Sequence, residues 1–183
     1  RAATPASTPR RPGYGTDQMG QLQERLVWDA DAGAILDADR RYVMLRADVL
    51  MGLFAALPPA QRDAALGSLQ ASVRSHGGAS ARAYQTQGAP DRAQFLQVMA
   101  QAAADLGWGV WRFQTAGADA LALEVDNSPF AMAITGSDRP VCHAITGMLE
   151  AVSALVAGKA STFRETRCAS MGAPCCTFQA QND

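Results

Sequence analysis

At 183 residues the chain is long enough to bury a core of its own without disulfides to hold it together. Sixteen Lys and Arg against 17 Asp and Glu leave a net charge of −1, so no electrostatic drive favours nucleic acid or an anionic membrane as the main partner. No apolar run reaches the ~18 residues of a spanning helix, and the opening RAATPASTPRRPGYG lacks the apolar centre of a signal peptide. The expectation is a soluble, cytoplasmic protein with no direct nucleic-acid contact and no membrane span.

Residues 1–20 are rich in Pro, Ser, Thr, Gly and Arg with almost no large apolar side chains, too little to offset the entropy of ordering. They are expected to form a disordered tail, and residues 21–183 a single domain. A short helical piece is predicted around QLQERLVWDA. In GAILDADRRYVMLR two β-prone runs flank Ala38-Asp39-Arg40, the pattern of a hairpin. ADVLMGLFAAL has helical spacing at Val49, Leu50, Leu53 and Phe54 and stops before Pro58-Pro59. PAQRDAALGSLQASVRSHGGASARAYQTQ reads as a long helix or helix pair, with Gly77-Gly78 as a kink. DRAQFLQVMAQAAADLG follows, with Phe95, Leu96, Met99 and Ala103 on one face.

The period then changes. GWGVWRFQTA and ADALALEVDNS alternate as strands do, with Leu121, Leu123 and Val125 on one side and Gly117 in the turn between them. From Asp138-Arg139-Pro140 a helix is predicted through VCHAITGMLEAVSALVAG to Gly158. ASTFRETRC and CCTFQAQ close the chain as two strands around Met171-Gly172-Ala173-Pro174. Hairpins alternating with groups of helices imply an α+β domain with antiparallel strands.

Three of the four cysteines crowd into RETRCASMGAPCCTF. Cys168 and Cys176 flank a Gly-Pro turn, and Cys142 stands at the start of the preceding helix. Glu165, shortly before Cys168, reaches the same centre if a bulge corrects the strand alternation. Zinc takes thiolate, imidazole and carboxylate ligands in such sets. A buried thiol is equally at home in a core, however, and a disulfide remains open. Spacing alone leaves all three readings standing. Strand alternation places Cys175 on the face opposite Cys176.

The span PVCHAITGMLEAVSALVAGKASTFRETRCASMGAPCCTF, Pro140 to Phe178, resembles the C-terminal signature of the 4-vinyl-reductase domain family: a Cys near a helix start, then Glu-x-x-Cys and a Gly-containing turn to another Cys. A weaker likeness reaches back to Gly33 through RYVMLRADVLMGLF and HGGASARAY. The resemblance implies a structural zinc held by Cys142, Glu165, Cys168 and Cys176. It also implies a Bet3-like fold, a twisted antiparallel sheet with helices on one side, forming a homodimer around an apolar ligand pocket. Trp108, Trp111, Phe113, Leu121, Leu123, Val125 and Phe130 lie on or near the hairpin that would line that pocket, although the same residues would equally make a sheet core.

In the phenol-sensing branch a Trp stands two residues before an Asn-Ser pair. Val125 holds that place here, ahead of Asn127-Ser128, and removes an indole donor. Two distant His, no G-x-S-x-G and no phosphate loop leave hydrolytic or nicotinamide chemistry without apparatus. The expected function is a small-molecule-binding domain for a hydrophobic or aromatic ligand, as sensor or carrier. The alternatives are a tetrapyrrole-handling protein of bacteriochlorophyll synthesis, either vinyl reductase or substrate carrier, and a dimeric scaffold that binds nothing.

Overall fold

The computed structural model describes residues 22–88, 91–116 and 120–181. The predicted tail and the Gly117 turn lie outside the described residues. The chain opens with α1 (Leu22–Arg25), then β1 (Val27–Asp29), β2 (Ala34–Asp37) and β3 (Arg40–Tyr42) in one antiparallel sheet of order β1-β2-β3. Three strands thus stand where a helical piece and a two-stranded hairpin were expected. Val27 and Trp28 favour extended backbone, and the turn that returns them is closed locally: Asp29 Oδ1 accepts from the Ala32 N–H at 2.8 Å, and Gly33 takes φ +57.

The helical block comprises α2 (Ala47–Ala55), α3 (Pro59–Ser72), α4 (Gly78–Gly88) and α5 (Arg92–Asp105). In α2 the buried side chains are Met51 and Phe54, while Val49 and Leu53 are exposed. Gly77 marks the end of a π-helical turn, Val73–Gly77, that carries α3 straight into α4. The kink expected at the two glycines is therefore a local widening of one continuous helix. Asp91 caps α5 by accepting from the Gln94 N–H at 2.8 Å.

The second sheet contains β4 (Val110–Ala116), β5 (Ala120–Asp126), β6 (Phe163–Arg167) and β7 (Cys176–Ala180) in the antiparallel order β4-β5-β7-β6. Leu121, Leu123, Val125, Cys176 and Phe178 point to the buried face, whereas Arg112, Gln114, Arg164 and Gln179 are exposed on the other. Helices cover only the buried face, which is the α+β arrangement expected. Between β5 and β6 run α6 (Pro129–Met132), which the periodicity did not reveal, and α7 (His143–Ala157). Among the described residues no helix is long and apolar enough to cross a membrane.

Gly109, dismissed as a nucleotide motif, has a packing reason. With φ +93 it lets β4 start against the end of β5, where a side-chain carbon would come to 3.0 Å from the Asn127 carbonyl oxygen.

At the crossing of α7 with α3 the buried Glu150 accepts from Gln70 Nε2 at 2.9 Å and faces Arg74 Nη1 at 3.6 Å. Burial raises its carboxyl above the usual range, against the opposing pull of Phe163 N–H, Arg74 and Gln70. A raised carboxyl contributes stability that is complete below its unfolded pKa of about 4.3 and is lost as pH rises through the folded value. Relative to the native protein, Glu150→Gln should therefore gain stability between about pH 4 and 7. Urea melts across that range test it; a difference that stays constant with pH would refute the assignment.

Candidate functional site

α7 begins later than the sequence suggested. The residue before a proline avoids helical backbone, and Arg139 instead sits in a bend where its N–H meets Ser137 Oγ at 3.3 Å and its carbonyl accepts that hydroxyl at 2.6 Å. Cys142 is consequently the N-cap of α7, not a member of its first turn. Its free N–H donates to Glu165 Oε2 at 2.9 Å, joining the helix start to β6.

Glu165 and Cys168 share one face because β6 is irregular. Glu165 pairs with Phe178, but the next pair is Arg167 with Thr177, so two residues oppose one. The bulge cancels the alternation that would have sent Cys168 to the outer face. Beyond it the chain makes a 3₁₀ turn, Ala169–Met171, and leaves it through Gly172 at φ +91. The Met171 and Ala173 N–H groups both reach the Cys168 carbonyl, at 3.0 and 3.3 Å. The chain then returns to Cys176, which pairs with Val125 of β5.

The outcome is a buried cluster. One ligand atom from each of Cys142, Glu165, Cys168 and Cys176 lies within 4.8 Å of all the others, a set that could hold a metal ion. All four cysteines of the chain are free thiols. Cys142 Sγ is 3.9 Å from Cys168 Sγ and 3.7 Å from Cys176 Sγ. Glu165 Oε1 is buried without a hydrogen-bond partner. Burial, followed by the hydrogen bond and charge of Cys168, pushes the Glu165 carboxyl up to about 8. Hydrogen bonding to Cys168 and Cys176, then burial, pushes the Cys142 thiol up as well. Those same bonds from Cys142 and Cys176 lower the Cys168 thiol, which gathers the negative charge of the cluster on one sulfur. Groups that resist ionising beside a buried thiolate form an arrangement that a dication relieves.

Cys175 lies elsewhere. Its sulfur shares the outer sheet face with the carboxylates of Glu124 and Asp126, both of which are paired with Arg112. Cys175→Ser should leave zinc content unchanged by elemental analysis, and a loss of metal in this variant would redraw the ligand set. His143 is half-buried and stands outside the four-residue cluster, its imidazole pKa lowered by burial.

The seven aromatic and apolar residues expected at a pocket separate into two groups. Trp111 and Phe113 line an open groove of about 460 Å³ between β4 and α5, whose other walls are Arg92, Ala93, Leu96, Gln97 and Ala100. Leu121, Leu123 and Val125 are 3%, 2% and 0% exposed and belong to the sealed core. Trp108 and Phe130 meet edge to face at 5.1 Å, and Trp111 Nε1–H donates to the Trp108 carbonyl at 3.2 Å. The α5 side of the groove was missed as a ligand wall. Its only sequence signal is the small residue Ala at 93 and 100 beside Leu96, which also describes ordinary helix packing.

Residues 121–182 match the model of the 4-vinyl-reductase domain. The resemblance read from Pro140 to Phe178 falls inside that match. The matched span runs from β5 through β7 and so contains the whole Cys142, Glu165, Cys168 and Cys176 cluster. The wall of the groove formed by α5 and β4 precedes it. No curated protein matches the sequence. Among solved structures, the fold is similar to the phenol-responsive sensory domain of the transcription activator PoxR with phenol. That likeness has a TM-score of 0.72 and 18% identity over 87% of this chain and 85% of that one. A trafficking protein particle complex subunit 3 from Naegleria fowleri, covalently bound to palmitic acid, is similar at TM-score 0.52 and 10% identity, over 74% and 93%. A vinyl-4-reductase family protein from Methanocaldococcus jannaschii aligns at TM-score 0.46 and 11% identity, over 74% and 89%. The first two likenesses are of fold: an antiparallel sheet covered by helices on one side.

Proposed function

We propose that the chain is a zinc-containing ligand-binding domain that holds a small hydrophobic or aromatic molecule in the groove between α5 and β4, as a sensor or carrier. The observation that carries the metal assignment is the orphaned Glu165 Oε1 beside three clustered thiols. Three sulfurs and one carboxylate make a donor set suited to zinc, and four protein donors leave no position for substrate or water. Bound zinc would supply a structural cross-link. Cys142 would then tie the start of α7 to β6 and β7 through Glu165, Cys168 and Cys176.

The ligand assignment rests on the groove and its aromatic wall. About 460 Å³ lies within the usual range for a small-molecule site, and apolar walls with Arg92 and Gln97 as the polar groups suit an aromatic ring bearing one polar substituent. The phenol held by the similarly folded sensory domain of PoxR supports the same class. Val125, fully buried behind Trp111, offers no donor to a hydroxyl.

The homodimer is part of this proposal. Val43, Met44, Leu45, Val49 and Leu53 expose 52–82% of their surface along one stretch of chain, an apolar run that a second copy would cover.

Fluorescence titration tests the ligand reading directly. A Trp28→Phe background leaves Trp108 and Trp111 as the emitters. Saturable quenching by simple phenols and alkylbenzenes is the expected result. Saturation by magnesium porphyrins alone would favour tetrapyrrole handling. Quenching by neither would leave a scaffold and refute ligand binding.

A further inference from the structure

Every sulfur of the cluster has a hydrogen-bond donor from a residue that is not itself a candidate ligand. Ser128 Oγ lies 3.3 Å from Cys142 Sγ, Ser170 Oγ lies 3.0 Å from Cys168 Sγ, and the Ala169 N–H donates to Cys176 Sγ at 3.3 Å. The two serines are 1% and 2% exposed, so water does not satisfy their hydroxyls.

We propose that Ser128 and Ser170 are positioning residues of the metal centre, their buried hydroxyls each donating to one cysteine sulfur and fixing the thiolates that hold the ion. This rests on the zinc reading above.

The direction of each bond follows from the chemistry of the partners. A cysteine bound to a metal has lost its proton and can only accept. A hydroxyl has one proton to give and two lone pairs. Ser128 Oγ already accepts from the Ala131 N–H at 3.4 Å, which leaves its proton for Cys142. Ser170 stands in the 3₁₀ turn between the two cysteines of the hairpin, its carbonyl accepting from the Ser137 N–H at 3.0 Å. That bond holds its backbone and leaves its hydroxyl for Cys168. Outer partners of this kind fix ligand rotamers and lower the cost of gathering like charges; their loss typically weakens metal binding by about 10–100-fold.

Ser128 has a second consequence. It is the N-cap of α6, whose Phe130 meets Trp108 edge to face. One hydroxyl therefore anchors both a metal thiolate and the turn that carries a pocket-side aromatic. Bland helix capping would explain the bond to Ala131 but not the sulfur contact, and it says nothing of Ser170.

The test is zinc affinity by competition with a chromophoric chelator, together with the absorption spectrum of the cobalt(II)-substituted full chain. Ser128→Ala and Ser170→Ala should each bind zinc about 10–100-fold more weakly. Their sulfur-to-cobalt charge-transfer bands should move to longer wavelength, because a sulfur that loses a hydrogen bond holds its electrons less tightly. Ser128→Thr, which keeps the hydroxyl and the cap, should restore both. Wild-type affinity and an unshifted band in Ser170→Ala, whose hydroxyl caps no helix, would overturn the proposal even if Ser128→Ala failed to fold. Failure of the wild-type chain to bind zinc or cobalt would instead overturn the zinc reading and the proposal with it.

Discussion

Cys168→Ser and Cys176→Ser are each expected to reduce zinc from about one ion per chain to a trace and to lower the melting temperature by about 8–16 °C. The magnitude follows from linkage. A ligand present at a thousand times its dissociation constant stabilises the state that binds it by about 4 kcal/mol, and each kcal/mol is worth about 2–4 °C in a chain of this length. The sulfurs of both residues are buried in the cluster and neither forms a disulfide, so metal linkage is the mechanism under test. Wild-type protein stripped with a strong chelator should melt close to the two variants. If chelator leaves the wild-type melting temperature unchanged while the variants fall, the cysteines are packing residues and the zinc assignment is wrong.

Gly147→Ala should be nearly as damaging, for an unrelated reason. Here α7 crosses α3 at closest approach: a methyl at residue 147 would lie well inside van der Waals distance of the Gln70 carbonyl oxygen, 3.0 Å from its carbon and 3.2 Å from the Arg74 nitrogen. Those are backbone atoms of a packed helix and cannot swing aside as a side chain would. Overpacking typically costs about 1–3 kcal/mol and more where the neighbour cannot yield, so about 3 kcal/mol, or ~6–12 °C, is expected. The neighbouring contact behaves differently. A carbon added at Gly77 would meet chiefly the Met148 side chain, which can rotate. Gly77→Ala is therefore the informative control, and equal losses in the two variants would argue against backbone approach as the cause.

Much of the architecture was legible because period is a local property. The alternation of Leu121, Leu123 and Val125 marked β5, and the apolar face of Phe95, Leu96 and Met99 marked α5, as both elements are buried on one side. Where the reading failed, local signals were ambiguous. Val27-Trp28-Asp29 had no length with which to declare itself a strand until β2 paired with it. Val49 and Leu53 fit a helical stripe but face outward, because spacing defines a face without naming its partner. The four residues of α6 are too few to show any period, and its Ser128 cap is visible only beside Cys142.

The sequence by itself determined the donor chemistry: three cysteines and one glutamate at intervals resembling a known signature, with Cys175 set apart by strand alternation. It made their convergence conditional on a break in that alternation, which would otherwise place Glu165 and Cys168 on opposite faces. The tertiary structure supplies the break, as the bulge between Glu165 and Arg167 turns both inward. The sequence likewise provided the apolar residues of the central hairpin, but not which of them meet solvent. The packing of α5 on the edge strand β4 decides that, sealing Leu121, Leu123 and Val125 and leaving Trp111 and Phe113 to line the groove. Burial depends on what lies opposite, and what lies opposite a side chain is a property of the assembled layers.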